Sequence, residues 1–66
     1  MYFFLNGQQY YTKQNFSILE LIKYFNYDTS LLVLEYNNFI YNKEKWTNTF
    51  IKDKDNIEII TIVGGG

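Results

Sequence analysis

The 66-residue sequence contains no cysteine, histidine, proline, arginine or alanine. Without cysteine there are no disulfides, and without cysteine and histidine the usual zinc sites are excluded. The same two absences remove the commonest general base and the strongest nucleophile of enzyme active sites. Without arginine, the six cations are all lysine, scattered along a chain of formal net charge −1. That leaves no basic footprint for nucleic acid or for an anionic membrane. Long apolar runs are also missing. The opening MYFFL lacks a basic flank and runs into Asn6-Gly7, so it reads as neither a signal peptide nor a membrane span.

What is present must therefore form a core without staples. A chain this short buries a modest share of its surface, and hydrophobic residues at 47% with aromatics at 21% supply the material. The length allows one small domain, read as residues 1–63, followed by a flexible glycine tail at 64–66. Three of the absent residue types point to the source. Alanine, arginine and proline have GC-rich codons (histidine does not), whereas the frequent Asn, Ile, Lys, Tyr and Phe have AT-rich ones. The expected location is cytoplasmic, or the plastid stroma if the gene is plastid-encoded.

Along the chain, the β-prone run Tyr2 to Leu5, then Asn6-Gly7, then Gln8 to Thr12 read as a β-hairpin with strands near 2–6 and 8–12, because a two-residue type I′ turn needs positive φ at both central positions. Phe3 and Leu5 are expected to face inward and Tyr2 and Phe4 outward. Ser17 followed three residues later by Glu20 is a capping box, with Phe16 and Leu21 placed as a hydrophobic staple. Ile18, Leu21, Ile22 and Phe25 then share one helical stripe. The polar run Asn26 to Ser30 ends the helix. Leu31–Tyr36 reads as the third strand, with Leu32, Leu34 and Tyr36 inward if Glu35 is solvated. Asn37-Asn38 forms a turn, Phe39–Tyr41 a short strand, Lys43–Trp46 a helical turn with Trp46 as a core anchor, and Asp53–Asn56 a tight turn. Ile57–Val63 is the last strand. One helix and this sheet bury their apolar faces only against each other. The expected fold is α+β: a β-grasp, or ubiquitin-like, mixed sheet with one helix packed across one face.

Few side chains offer chemistry. Glu20 caps a helix, Glu44 and Glu58 are expected in solvent, and Asp53-x-Asp55 supplies too few oxygens for a calcium loop, so a turn is the simpler reading. The aromatic residues lack a basic groove beside them, which makes them core and surface aromatics rather than base-stacking platforms. The glycines at 64–66 are followed by no helix and so form no phosphate-binding loop. A tail of three residues without Cβ can instead thread a narrow channel in a partner enzyme. It would present the α-carboxylate of Gly66 for activation by ATP to an acyl adenylate, open to a sulfur or nitrogen nucleophile. The bland alternative is a frayed end.

These segments resemble the ThiS family, the sulfur carriers of thiamine biosynthesis, over essentially the whole chain. Leu5-Asn6-Gly7, the run Ser17 to Ile22, Val33 to Asn37, Ile40 and Trp46 all match. The most specific resemblance is Asp53 to Ile60 followed by Val63-Gly64-Gly65-Gly66. The chain departs from the family pattern in three places: Tyr41-Asn42-Lys43 replaces a usual Val-Pro-Arg, the helix-to-strand segment Asn26 to Ser30 carries no family feature, and Lys54 replaces a glycine. If that turn requires positive φ, Lys54 costs about 1 kcal/mol relative to glycine. The resemblance implies a protein co-substrate rather than an enzyme, with no bound cofactor and with ATP used by the partner. Gly66 would be adenylated by a ThiF-like enzyme and converted to a thiocarboxylate with sulfur from a persulfide donor. A ThiG-like thiazole synthase would then receive the sulfur. Gly65 and Gly64 would line the partner's channel.

Strand parity adds a docking surface. If Ile57 and Ile59 face the helix, then Ile60 and Ile62, with Val33 and Phe4, form an open apolar patch at the root of the tail. The competing arrangement covers that patch with part of segment 37–52. Two other carriers of the same class fit the tail: a molybdopterin synthase small subunit, which is usually longer, and a ubiquitin-like modifier joined to lysines. An interaction domain whose tail has no chemistry is the reading from outside the class.

Overall fold

The computed structural model describes residues 1–62. Asn6 and Gly7 take φ of 51° and 81°, the two positive values that a type I′ turn demands. The turn joins β1 (Tyr2–Leu5) to β2 (Gln8–Tyr11) in the register Tyr2↔Tyr11 to Leu5↔Gln8. Phe3 and Leu5 are buried while Tyr2 and Phe4 face out, as alternation requires.

Helix α1 (Ile18–Tyr24) opens on the expected capping box. Glu20 N–H donates to Ser17 Oγ at 3.2 Å, and Ser17 N–H donates to Glu20 Oε1 at 2.9 Å. Ile18, Leu21 and Ile22 are buried against the sheet. Phe16 packs edge-on to Phe3, ring centroids 6.0 Å apart, and lines the same cleft as Leu21. Helix termination has a specific device. Asn26 sits at φ 64°, its N–H donates to Lys23 O, and Tyr27 N–H donates to Ile22 O, the two bonds of a Schellman motif with asparagine in the left-handed position. Asp28 then caps a 3-10 turn over Thr29–Leu31, accepting from Ser30 N–H at 3.0 Å and from its hydroxyl at 2.7 Å. Leu31, expected to begin the third strand, therefore belongs to this turn.

The third strand, β3, is Leu32–Tyr36, with Leu34 and Tyr36 buried. A second turn with positive φ at Asn37 (50°) and Asn38 (73°) leads to β4 (Phe39–Ile40). Lys43–Lys45 form a 3-10 turn, and Trp46 is buried with its indole N–H donating to Tyr41 O at 2.9 Å. The segment that follows completes the start of the helix. Ile18 N–H donates to Thr49 O and Leu19 N–H to Trp46 O, satisfying first-turn donors that a helix leaves free. Finally β5 (Asn56–Thr61) lies between β1, to which it is parallel, and β3, to which it is antiparallel. The sheet order is β2-β1-β5-β3-β4 with α1 across one face, the expected β-grasp arrangement. β5 ends at Thr61, and Val63, expected to close this strand, lies outside the described residues.

The turn before β5 is tied down by a carboxylate. Asp55 is buried and accepts from the Tyr36 hydroxyl, from Asn37 Nδ2 at 3.1 Å and from Lys52 N–H at 2.7 Å. The sequence placed Asp55 correctly in a turn; its burial was not foreseen. Lys54 takes φ 70°, so the left-handed conformation that glycine would hold freely is imposed on a lysine. Replacing Asp55 with alanine strands the Tyr36 hydroxyl and is expected to cost about 3 kcal/mol in urea unfolding. The Tyr36 phenol is itself pushed up from its ordinary value, first by burial and then by its hydrogen bond to Asp55. The folded chain therefore holds this proton more tightly than the unfolded one. Its stabilising contribution is complete below about pH 10 and is lost as pH rises toward the higher folded-state value. Urea midpoints taken from about pH 9 to 11 are expected to fall in the parent and to fall less in Tyr36→Phe.

Candidate functional site

β5 lies third of the five strands and carries the described chain to Ile62. This end is anchored on its β3 side, where Ile62 N–H donates to Leu31 O at 2.7 Å. Ile57 and Ile59 are buried under α1, which turns Glu58 and Ile60 to the open face. Ile60 stands directly opposite Val33, and Ile60 and Ile62 are each 52% exposed. Of segment 37–52, Phe39–Ile40 pairs alongside β3 and residues 46–51 bond to the start of the helix, and Ile60 and Ile62 remain exposed. Three of the four expected patch residues therefore come together at the root of the tail.

Phe4 does not join them. It shares the open face and is 36% exposed, but its partner on β5 is Asn56. Ile60 lies four residues further on, about 13 Å at the usual rise, with Glu58 between. Phe4 sits on the β1–β2 side of this face, where Tyr2 and Tyr11 pack edge-on with centroids 5.0 Å apart. Ile40, which the sequence reading placed only in a short strand, lies opposite Glu35 on the open face and extends the apolar surface toward β4.

One feature of this face was not anticipated. Glu35 and Glu58 are paired directly across β3 and β5. Like charges in that relation are destabilising, and here they border the Val33–Ile60 pair on its inner side. The arrangement offers a cationic group a two-carboxylate seat next to an apolar contact. Both glutamates are visible in the sequence, but their pairing depends on the register of strands more than twenty residues apart. Gly64, Gly65 and Gly66 lie outside the described residues. No helix among the described residues is long and apolar enough to cross a membrane.

A helix-backed five-stranded sheet, with the last strand central and its outer face bare, defines a ubiquitin-like β-grasp protein. The sequence model of the ThiS family matches residues 4–66, and the chain belongs to that family, whose members are small sulfur carriers and not themselves catalysts. The ycf40 protein of Trieres chinensis is 56% identical over 64 residues, covering 97% of this chain and 88% of that one. The ycf40 protein of Porphyra purpurea is 32% identical over 62 residues, covering 94% and 87%. Among solved structures, the thiamine biosynthesis protein ThiS from Geobacter metallireducens aligns over the whole of both chains with a TM-score of 0.84 at 23% identity. A solution structure of a thiamine biosynthesis protein from the same organism gives 0.80 at 23% identity, covering all of this chain and 88% of that one. At that identity the likeness speaks to the fold.

The positions on β5 separate surface from core. Ile60→Asp is expected to leave the domain folded, within about 1 kcal/mol of the parent. Ile59→Asp buries an unpaired charge and is expected to abolish the cooperative urea transition. Reversing the Glu35–Glu58 repulsion with Glu58→Lys is expected to raise stability by about 0.2–1 kcal/mol. A Glu58→Lys variant less stable than the parent would show that the pair is not felt as repulsion.

Proposed function

We propose that this chain carries sulfur as a C-terminal thiocarboxylate for thiazole formation in thiamine biosynthesis. The observation that carries this reading is the family match, which runs through the three glycines to residue 66. Residues 1–63 act as the folded body and residues 64–66 as the tail. Gly66 presents its carboxylate, while Gly65 and Gly64, having no Cβ, pass through the channel of a ThiF-like adenylating enzyme. The carboxylate oxygen attacks the α-phosphorus of ATP, pyrophosphate leaves, and a glycyl adenylate results. The terminal sulfur of a persulfide donor then attacks the acyl carbon and AMP leaves, giving an acyl disulfide. A second thiol attacks the donor's sulfur, forms a disulfide with it and releases the thiocarboxylate on Gly66. This chain holds no cysteine, so both sulfur nucleophiles come from partners. A ThiG-like thiazole synthase takes the sulfur. The protein needs no bound cofactor; ATP is the partner's substrate.

Docking uses the open face at the root of the tail: Ile60, Ile62 and Val33 make the apolar contact, and the Glu35–Glu58 pair selects a basic group on the partner. Phe4 contributes at the far end of a partner broad enough to reach it. The protein works in the cytoplasm, or in the plastid stroma where its gene is plastid-encoded.

The deciding experiment is intact mass after incubation with ATP, a ThiF-like enzyme and a persulfide donor. The expected gain equals sulfur replacing one oxygen, is absent when Gly66 is deleted, and is absent when one alanine is appended after Gly66. An unchanged mass beside an adenylating enzyme shown to be active would sink the carrier reading, and a product joined to a lysine side chain would replace it with a modifier. Ile60→Asp, still folded, is expected to raise the carrier concentration needed for half-maximal adenylation by about tenfold, equivalent to about 1.4 kcal/mol.

A further inference from the structure

The two edges of the sheet differ. β4 is a two-residue strand, too short to template another chain, whereas β2 is a four-residue edge with nothing beside it among the described residues. Its hydrogen-bonding directions follow from its neighbours. The N–H groups of Phe4 and Asn6 donate to Asp55 O and Ile57 O, and Tyr2 O accepts from Lys54 N–H, so the even residues of β1 are turned toward β5. The odd residues are turned toward β2: Met1 and Thr12 exchange both bonds, at 2.7 and 3.0 Å. By alternation Phe3 bonds Tyr10 and Leu5 bonds Gln8. The peptide groups of Gln9 and Tyr11 therefore point away from the sheet, two donors and two acceptors along the free edge.

Natural edges are usually blunted by charge, proline, a bulge or a covering loop. Gln8-Gln9-Tyr10-Tyr11 has no charge and no proline, and its register with β1 is unbroken by a bulge. Such a strand is self-complementary when it meets its own copy antiparallel about a two-fold axis at Tyr10. Gln9 then faces Tyr11 of the second copy and Tyr11 faces Gln9, so the two outward groups of each strand meet two outward groups of the other. All four N–H groups gain a carbonyl partner. In this register Lys13 falls opposite Gly7 of the second copy, so no like charges meet across the seam. Tyr11, 56% exposed and held against Tyr2, lies beside the other copy's Gln9 amide on the open face.

We propose that β2 is a self-association edge, through which two copies join into one continuous ten-stranded sheet. The seam lies on the opposite side of the sheet from β3 and β4, so the Val33–Ile60 surface and the departure of the tail stay free in the pair. The contact is a strand seam with few side chains, which places the association at the weak end of protein interfaces.

Sedimentation equilibrium of the full chain from about 10 μM to 1 mM is the test. The weight-average mass is expected to climb from 8.0 kDa toward twice that value. Over the same range, amide exchange should slow at Gln9 and Tyr11, while Tyr10, already bonded to β1, should not change. Gln9→Pro removes an outward N–H that the monomer does not use and is expected to hold the chain at monomer mass. If circular dichroism shows that variant unfolded, Tyr11→Lys, which keeps the backbone and brings positive charge to the seam, is expected to do the same. A parent that stays at 8.0 kDa at about 1 mM overturns the proposal and leaves the edge to a different chain. A pair that persists in the folded variants overturns it as well.

Discussion

The parallel contact between the first and last strands is the constraint on which the rest of the structure depends. Only two residue pairs, Phe4↔Asn56 and Leu5↔Ile57, lie in that ladder, yet a longer row of bonds continues it at both ends. Before it, Tyr2 N–H donates to Asp53 Oδ1 and Lys54 N–H to Tyr2 O; after it, Asn6 N–H donates to Ile57 O and Ile59 N–H to Asn6 Oδ1. Each of these bonds joins residues about fifty positions apart, so none forms until the intervening chain has closed. Pairings of such separation slow folding, and this sheet has no second parallel contact to share the task. Once formed, the contact fixes β5 in the centre of the sheet. The central position buries Ile57 and Ile59, and beyond Ile59 the strand is held on its β3 side, through Ile60, Thr61 and Ile62.

Features written within a few residues of each other were legible in the sequence. Asn6-Gly7, the Ser17–Glu20 box and the parity of Val33 to Tyr36 each rest on short-range geometry, and each formed as expected. Features that need a distant partner were not. Asp55 looks like any turn aspartate until Tyr36 and Asn37, nearly twenty residues earlier, are brought onto its oxygens. The carbonyls of Trp46 and Thr49 became helix partners only because that irregular segment folds back on Ile18 and Leu19. Phe4 was assigned to the right face, but parity carries no information on position along a strand. The offset between Phe4 and Ile60 follows from the β1–β5 register, which the sequence does not display.

The same reasoning explains how the described residues make their turns with a single glycine. Among the described residues Gly7 is the single glycine, yet five other positions take positive φ: Asn6, Asn26, Asn37, Asn38 and Lys54. Asparagine tolerates the left-handed region better than other residues with a side chain, since its short amide can bond locally. Its side chain also adds what glycine cannot. Asn6 Oδ1 accepts from Ile59 N–H, and Asn37 reaches Asp55 through Nδ2 and Asn56 N–H through Oδ1. Asparagines that serve the turns have thus become part of the tertiary bonding. Lys54 is the one residue among these five that is not asparagine, and its long side chain lacks the short amide that eases the left-handed region.

Strain and repulsion are distributed unevenly over the two faces of the sheet. The helix-covered face is packed without an unsatisfied buried polar side-chain atom among the described residues. The open face carries two glutamates in direct opposition and an isoleucine left half exposed beside them, both unfavourable for an isolated domain. Neither is needed to form the sheet, since Leu34, Tyr36, Ile57 and Ile59 supply its inward packing. Under the proposed reading these features gain their value in complexes: a cation from the partner would relieve the repulsion between Glu35 and Glu58, and contact would bury Ile60. Association would then recover free energy that the isolated fold forgoes. The resulting attraction would be strongest beside the departing chain, where a carrier must be gripped for its terminus to be delivered.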